Sequence, residues 1–326
     1  MDFLNPIPSS LKLLLLSDID VESVTNLAEN MIRSEEYQYD AIIVCGPFNQ
    51  TTIDVFKKKN SKTNNDVMKD FTSEQEGILV GELSTALAQL ENIVCRVIYL
   101  SSEVDPKCIL NEQMHLTPNS VNINKRHLPL VKGLNLSGIT EVEESISVED
   151  TIMDSADADR PQSMDEETGS IEYESSKTNN EIEELLKKVS GDDKNKVKEE
   201  TVEEEDDDGN MITITRPIES TDIVTPKRND DMIFILNYKY MHTLNKFIFH
   251  RPELLVRAGV NICILPQAND ITSRLDNKVL NGITFVVIDS LRKEGKFTQI
   301  KLDRNDEDGT WKLNENKSLS VKELFK

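Results

Sequence analysis

The sequence contains few of the residues from which catalytic loops and metal centres are usually built. Its 326 residues include only 12 glycines, 4 histidines and 4 cysteines. It has no glycine-rich phosphate loop, no nucleophile elbow and no dinucleotide-binding fingerprint, which argues against the enzyme classes that those motifs define. No histidine has a second histidine four residues away, and we interpret His242 and His250 as surface or packing residues rather than metal ligands.

The chain also lacks paired cysteine spacings and long hydrophobic runs. Three of the cysteines, Cys45, Cys95 and Cys263, lie in apolar stretches, where a reduced thiol behaves as a small hydrophobic side chain. The run Leu13–Leu16 is much too short to span a bilayer. The first residues have neither the basic start nor the cleavage site of a signal peptide. These absences predict a cytoplasmic or nuclear protein without a membrane span.

Negative charge is concentrated in one segment of the chain. Residues 141–208 contain 26 acidic and 7 basic residues, a net charge of −19, which leaves only −3 of the total of −22 for the rest of the chain. We expect residues 141–230 to form an acidic disordered insert, because so polar a segment buries too little apolar surface to offset the entropy of ordering. The same charge predicts a protein partner with a basic surface and excludes nucleic acid as a partner of the insert.

One part of the insert has a helical pattern. Asn180 can cap a helix and Gly191 can end it, so the sequence predicts a short helix over 181–190. Its apolar residues fall on one face: Ile182, Leu185, Leu186 and Val189. A helix of this length is marginal in water. Two interpretations remain open: a segment that folds onto a partner groove, or an incidental helix within a solvated spacer.

Strand and helix patterns alternate on both sides of the insert. The first three predicted strands, separated by helical patterns, favour a parallel sheet with right-handed crossovers, and shorter strands follow. The predicted strands are Leu11–Ser17, Ala41–Cys45, Ile93–Leu100, Asn119–Ile123, Leu128–Val131, Leu134–Ser137, Met232–Leu236, Ile262–Leu265, Gly282–Ile288 and Phe297–Leu302. We therefore predict one discontinuous α/β domain over 10–140 and 231–303, followed by a C-terminal tail over 304–326.

Polar residues follow the first three strands, where α/β proteins present their chemistry. Asp18 and Asp20 follow the first strand, Gly46-Pro47 ends the second, and Ser102-Glu103-Val104-Asp105 follows the third. In these strand ends and their order, the predicted domain resembles the calcineurin-like metallophosphoesterases. The resemblance implies a layered α/β/β/α sandwich of two mixed sheets, interrupted here by the acidic insert.

The resemblance also implies where the ligands of a two-metal centre would stand. Asp18 matches the first aspartate, and of seven usual ligands it is the one that this sequence retains. Asp20 occupies a histidine position, Pro47 that of the bridging aspartate, and Glu103 that of the asparagine. Val104 stands in place of the histidine that faces the phosphate. The three remaining histidine positions hold amide side chains: Asn237, Gln267 and Asn269.

These replacements predict a protein without phosphoesterase activity. Two metal ions about 3.5–4 Å apart need a bridging carboxylate to offset their repulsion, and proline cannot supply one. We therefore expect a pseudoenzyme without a cofactor that acts as a protein-binding adaptor or assembly subunit. The Gly46-Pro47-Phe48 sequence is similar to one in the small subunits of replicative DNA polymerases, which use this fold without catalysis.

Two alternatives remain open from the sequence. In the first, Asp18, Asp20, Glu103 and Asp105 form a reduced carboxylate site for a single Mn²⁺ or Mg²⁺ ion in a divergent metal-dependent phosphoesterase. The competing interpretation of these carboxylates is that they are solvated strand ends or helix caps. In the second alternative, the acidic insert is itself the functional part, a regulatory segment that a stable domain carries.

Overall fold

Two mixed six-stranded sheets form the centre of the molecule. The computed structural model describes residues 8–32, 38–63, 71–110, 116–140, 184–186, 199–205, 211–217, 230–237, 252–266 and 272–325. In chain order its strands are β1 (Ser10–Ile19), β2 (Ala41–Phe48), β3 (Val97–Leu100), β4 (Ser120–Asn122), β5 (Arg126–Val131), β6 (Leu134–Thr140), β7 (Glu199–Glu205), β8 (Met211–Pro217), β9 (Asp231–Asn237), β10 (Val260–Leu265), β11 (Val279–Leu280), β12 (Ile283–Val287), β13 (Lys296–Arg304) and β14 (Trp311–Ser320).

Helices connect and cover these strands. The helices are α1 (Val21–Ile32), α2 (Gln50–Thr63), α3 (Ser73–Glu91), α4 (Lys107–Leu110), α5 (Pro252–Arg257) and α6 (Leu291–Glu294), with 3₁₀ turns at Thr272–Arg274 and Val321–Phe325. No helix in the described part of the chain is both long and apolar enough to cross a membrane. The capping box of α3, formed by Thr72 and Gln75, satisfies backbone donors at the first turn.

The first sheet has the strand order β14-β13-β1-β2-β3-β4, and the second has the order β11-β12-β10-β9-β6-β5. The strands from β1 to β4 are parallel, as the alternating pattern predicted, and β13 and β14 add to the other side antiparallel. In the second sheet β6, β9, β10 and β12 are parallel, with an antiparallel strand at each edge.

Side-chain alternation divides the apolar residues among three layers. Leu13 and Ile43 of the first sheet meet Ile233 and Ile264 of the second in the core between the sheets. Leu14 and Val44 point the opposite way, to the face covered by α1 and α3. Since β1 and β2 are covered on both faces, they are continuously apolar rather than alternating. The α/β/β/α sandwich with mixed sheets predicted from the sequence is confirmed.

The segment 304–326, which we predicted to be a tail outside the domain, contains strand β14 of the first sheet. Strand β14 pairs antiparallel with β13. Lys296 lies opposite Ser320 at one end of the ladder, and Arg304 lies opposite Trp311 at the other. Trp311, 1% exposed, lies in the core between the sheets. The polar composition of this strand concealed it, because an edge strand needs apolar residues at only a few inward positions.

Three short pieces of the acidic insert are among the described residues. Residues 184–186 are helical. Strands β7 and β8 pair antiparallel, with Glu199 opposite Pro217 and Glu205 opposite Met211. The β-branched residues of 211–217 favour a strand, but the acidic composition of the whole insert outweighed that local signal. The other residues of 141–229 lie outside the described part, as do His115, His242 and His250.

Candidate functional site

The carboxyl ends of β1, β2 and β3 lie side by side, as the parallel pairing requires. Asp18 lies at the end of β1, where the register with β2 shifts between Ser17 and Ile19. Its φ of 51° places it in the left-handed region, which aspartate tolerates better than most residues. An irregularity of this kind changes the direction of a side chain at the edge of a sheet. Only 5% of Asp18 is exposed.

The carboxylate of Asp18 binds a guanidinium group. Arg292 donates from Nε to Oδ1 at 2.9 Å and from Nη2 to Oδ2 at 3.1 Å, a bidentate geometry that matches the two planar groups. Ser290 Oγ donates to Oδ2 at 2.6 Å. Lys293 Nζ lies 3.8 Å from the same oxygen, although its side chain is mostly exposed. Both carboxylate oxygens of Asp18, which the resemblance places at the first ligand position, are therefore bound by groups of the chain itself.

The helix α6 holds these partners in place. Ser290 caps the helix by accepting a hydrogen bond from the Lys293 backbone N–H at 3.0 Å, and Gly295 ends it in the left-handed conformation. Ser290 also pairs with Ser17 in an isolated bridge to the end of β1. One short helix between β12 and β13 therefore brings a hydroxyl group and two cationic side chains to Asp18.

Asp20 caps helix α1. Its Oδ1 accepts from the Ser23 backbone N–H at 2.8 Å, and its own backbone N–H donates to Ser23 Oγ at 3.1 Å. This reciprocal arrangement satisfies two donors at the helix start and places a carboxylate near the positive end of the helix dipole. Asp20 is therefore a helix cap, which is one of the roles that the sequence left open for these carboxylates.

Asp105 binds the turns that follow β2 and β3. Its Oδ1 accepts from the Phe48 backbone N–H at 2.8 Å, and Oδ2 accepts from the Ser102 backbone N–H at 2.6 Å and from Ser102 Oγ at 3.1 Å. The residue is 3% exposed. Burial raises the pKa of its carboxyl to about 7, although the hydrogen bonds from Phe48 and Ser102 act in the opposite direction.

The approach of Asp105 explains why glycine precedes Pro47. A Cβ at Gly46 would lie 2.5 Å from Asp105 Oδ2 and 2.6 Å from the Ser102 nitrogen, which no larger residue tolerates without displacing the backbone. The Gly46–Pro47 peptide is cis. Pro47, at the bridging aspartate position, is thus part of a turn that is packed tightly against the loop after β3.

Val104 and Glu103 lie in the same loop. Val104 packs against an apolar cluster of Ile53, Phe56 and Leu79 between α2 and α3. The aliphatic side chain at the expected histidine position therefore contacts hydrophobic helix residues. Glu103 is half-buried and makes interactions of its own within the fold.

Amide and hydroxyl side chains form hydrogen bonds between the strand ends of the first and second sheets. Asn237 Nδ2 at the end of β9 donates to the Ser101 carbonyl at 3.2 Å, and Thr140 Oγ1 donates to the same carbonyl. Ser17 Oγ donates to the Pro266 carbonyl at 2.5 Å. These bonds join the loop ends of the two sheets. Gln267 and Asn269 lie outside the described residues.

The residues at these positions do not fit a two-metal centre. Asp18, Asp20, Glu103 and Asp105 lie at one edge of the first sheet, but Asp18 faces a guanidinium, Asp20 caps a helix and Asp105 accepts from backbone N–H groups. Across the residues that the structure describes, no three His, Cys, Asp or Glu side chains form a group that could hold a metal ion.

Sequence reasoning did not identify Arg292 and Ser290 as residues of this site. The available signal for these two residues was a serine at the start of a short helix directly after a strand, with an arginine two residues later. It did not show which carboxylate these residues would bind. Beside them lies an open cleft of about 410 Å³ between α1 and the end of the chain, lined by residues that include Asp20, Asn26, Arg292 and Lys322.

Comparison with known proteins gives similarity in structure without similarity in sequence. No family model and no curated protein matches the sequence. One solved chain aligns with a TM-score of 0.51 at 10% identity, over 94% of this chain and 99% of its own length. The calcineurin-like phosphoesterase YfkN from Bacillus subtilis aligns with a TM-score of 0.39 at 11% identity, over 97% of this chain and 92% of its own. At such identities a likeness bears on the fold alone.

Proposed function

We propose that this chain is a calcineurin-like phosphoesterase domain that does not hydrolyse phosphoesters and acts as a protein-binding adaptor or assembly subunit. The observation that carries the proposal is the ion pair between Asp18 and Arg292, with its bidentate contacts at 2.9 and 3.1 Å. An arginine side chain here provides the positive charge that a metal ion would provide in an active relative.

The electrostatics of the pair oppose metal binding. A divalent ion at Asp18 would have to displace a guanidinium that remains protonated at every accessible pH, and then share a partly buried space with it. The side chain of Asp18 is 8% exposed and that of Arg292 is 19% exposed, so water screens their interaction poorly. The arginine therefore competes directly with any cation for the retained carboxylate.

The neighbouring positions support the same conclusion. Pro47 offers no donor atom where a bridging carboxylate is needed, and Val104 packs into a hydrophobic cluster where a histidine is expected. Asp105 has both oxygens occupied by donors from Phe48 and Ser102. A single Mn²⁺ or Mg²⁺ ion held by Asp18, Asp20, Glu103 and Asp105 would have to break a helix cap, a buried ion pair and a turn.

Protein binding is the function that remains for such a domain. The acidic segment 141–208, with its net charge of −19, favours a partner with a basic surface, and such pairing speeds association more than it increases affinity. Deletion of residues 141–229 distinguishes two sites of binding. If the deleted protein still binds its partners, the folded face is responsible; if binding is lost and also weakens with salt in the full chain, the insert is.

The test of inactivity combines metal titration with a hydrolysis assay. Mn²⁺ is titrated calorimetrically into the purified full chain while hydrolysis of bis(p-nitrophenyl) phosphate is followed in the same sample. We expect neither binding nor turnover. Micromolar binding together with turnover that Asp18→Ala abolishes would overturn the proposal in favour of a divergent metal-dependent phosphoesterase. Lys293→Ala, which leaves both close Arg292 contacts intact, is the control for a general change in surface charge.

A further inference from the structure

Two leucines of the acidic insert are buried in the folded domain. Leu185 is 9% exposed and Leu186 is 1% exposed, whereas Glu184 beside them is exposed. The leucines belong to the apolar cluster on the outer face of the second sheet, with Phe234 and Leu236 of β9. The one helical turn that the structure describes in residues 141–198 thus lies on the domain.

This outer face has little other cover among the described residues. The corresponding face of the first sheet is covered by α1 with 12 residues and α3 with 19. Over the second sheet, α5 has only 6 residues and contributes Leu254 and Leu255 to the same cluster. Leu275, directly after the 3₁₀ turn Thr272–Arg274, is buried in the same cluster. A parallel sheet needs both faces covered, and the insert turn supplies part of this covering layer.

The two covering turns have the same sequence. Glu184-Leu185-Leu186 of the insert and Glu253-Leu254-Leu255 of α5 both expose a glutamate and bury two consecutive leucines. Two adjacent leucines together present a broad apolar surface on one side of a helical turn. The outer face of the second sheet therefore accepts this three-residue pattern twice.

Charge in the sequence around Leu185 also suits a helix at this place. Acidic residues 181, 183 and 184 precede the leucines and the basic residues 187 and 188 follow them. This order complements the helix dipole, which is positive at the N-terminus and negative at the C-terminus. The helix predicted over 181–190 is short enough to depend on burial of its leucines for stability.

We infer that the outer face of the second sheet is a binding groove for a Glu-Leu-Leu helical turn, and that the turn at residues 184–186 is its exchangeable occupant. The turn separates residues 141–183, with a net charge of −13, from residues 187–230, with a net charge of −5. Release of the turn would expose the groove. The inference does not rest on the loss of phosphoesterase chemistry.

The test supplies the occupant in trans. A fluorescein-labelled peptide of residues 180–191 is titrated against the full chain and against the full-chain variant with Leu185→Asp and Leu186→Asp. We expect the peptide to bind the variant saturably. Its apparent affinity for the unsubstituted chain should be at least about tenfold weaker, because there the groove is free only in molecules that have released their own turn. The same peptide with both leucines replaced by aspartate should not bind.

Each other result overturns the inference. A variant that keeps a cooperative thermal transition but does not bind the peptide would show that no groove opens. Equal binding to both chains would show that the peptide binds elsewhere. A variant that fails to fold would show that the turn is a permanent part of the core rather than an exchangeable occupant. Glu184→Gln, which changes only the exposed residue of the turn, is the matched control and should behave as the unsubstituted chain.

Discussion

Arg292 and Asp18 form a bidentate ion pair across 274 positions of sequence, with Nε 2.9 Å from Oδ1 and Nη2 3.1 Å from Oδ2. The pair joins the end of β1 to helix α6. It occupies the place where the family resemblance implies a metal ion. The positive charge beside Asp18 is part of the polypeptide and is not exchangeable.

Replacing Arg292 should destabilise the protein strongly. We expect Arg292→Met to lower the free energy of unfolding by about 3 kcal/mol, because removal of one partner leaves a buried carboxylate without its counter-charge. Lys293→Met should cost less than about 0.5 kcal/mol, since that lysine is mostly exposed and its Nζ is 3.8 Å from Asp18. Urea denaturation of both variants measures the difference.

A double-mutant cycle measures the interaction energy between Asp18 and Arg292 apart from the effect of losing each side chain alone. Asp18→Asn combined with Arg292→Met should cost clearly less than the sum of the two single changes, because neither unpaired charge remains. Strict additivity would contradict a direct interaction between the two side chains.

The buried carboxyl of Asp105 should make stability depend on pH. Its pKa is about 7 in the folded chain against 3.8 for an ordinary aspartate, so the folded state binds the proton more tightly than the unfolded state. The contribution to stability is complete below pH 4 and is lost as the pH rises through 7. Since one pKa unit corresponds to about 1.4 kcal/mol, the loss is roughly 4 kcal/mol.

Asp105→Asn isolates this contribution. The variant is less stable throughout, because its amide cannot accept from both Phe48 and Ser102, but its free energy of unfolding should change less between pH 4.5 and 7.5 than that of the unsubstituted chain. Denaturant titrations at several pH values measure both slopes. Parallel curves for the two proteins would show that Asp105 does not titrate in this window.

Gly46 and Gly81 should respond in opposite directions to alanine. Gly46→Ala brings a Cβ to 2.5 Å from Asp105 Oδ2 and 2.6 Å from the Ser102 nitrogen, so we expect a loss of about 2–3 kcal/mol. At Gly81 in α3 the added Cβ meets nothing within 4 Å, and alanine should stabilise the helix by roughly 0.5–1 kcal/mol. Thermal unfolding compares the two variants; a stabilising effect at Gly46 would contradict the described packing.

A histidine at position 104 should not confer phosphoesterase activity. Val104→His places a polar ring against Ile53, Phe56 and Leu79, where we expect a cost of about 1–2 kcal/mol and no hydrolysis of bis(p-nitrophenyl) phosphate. Val104→Ile keeps the apolar contact and should cost less than about 1 kcal/mol. A gain of turnover in the histidine variant would show that the position still faces a working site.

The sequence predicted those helices and strands whose apolar pattern lies within one continuous segment. The apolar runs of β1 and β2 and the period of α1 lie within single segments, so their type and approximate bounds followed from sequence. Strand β14 was missed because as an edge strand it buries few residues, Trp311 among them, and β7 and β8 were missed because composition outweighed alternation. The third strand begins at Val97 rather than Ile93, since Ile93 and Val94 form the turn before it.

The sequence by itself determined which side chains stand at the strand ends, and therefore that Pro47 and Val104 cannot bind a metal ion. Only the tertiary structure decided what those ends do instead. Asp18 meets Arg292, Asp105 accepts backbone donors from two turns, and Leu186 of the insert enters a core cluster. The physical reason is range: side-chain chemistry is a property of each residue, whereas ion pairs and burial depend on which distant segments the two sheets bring together.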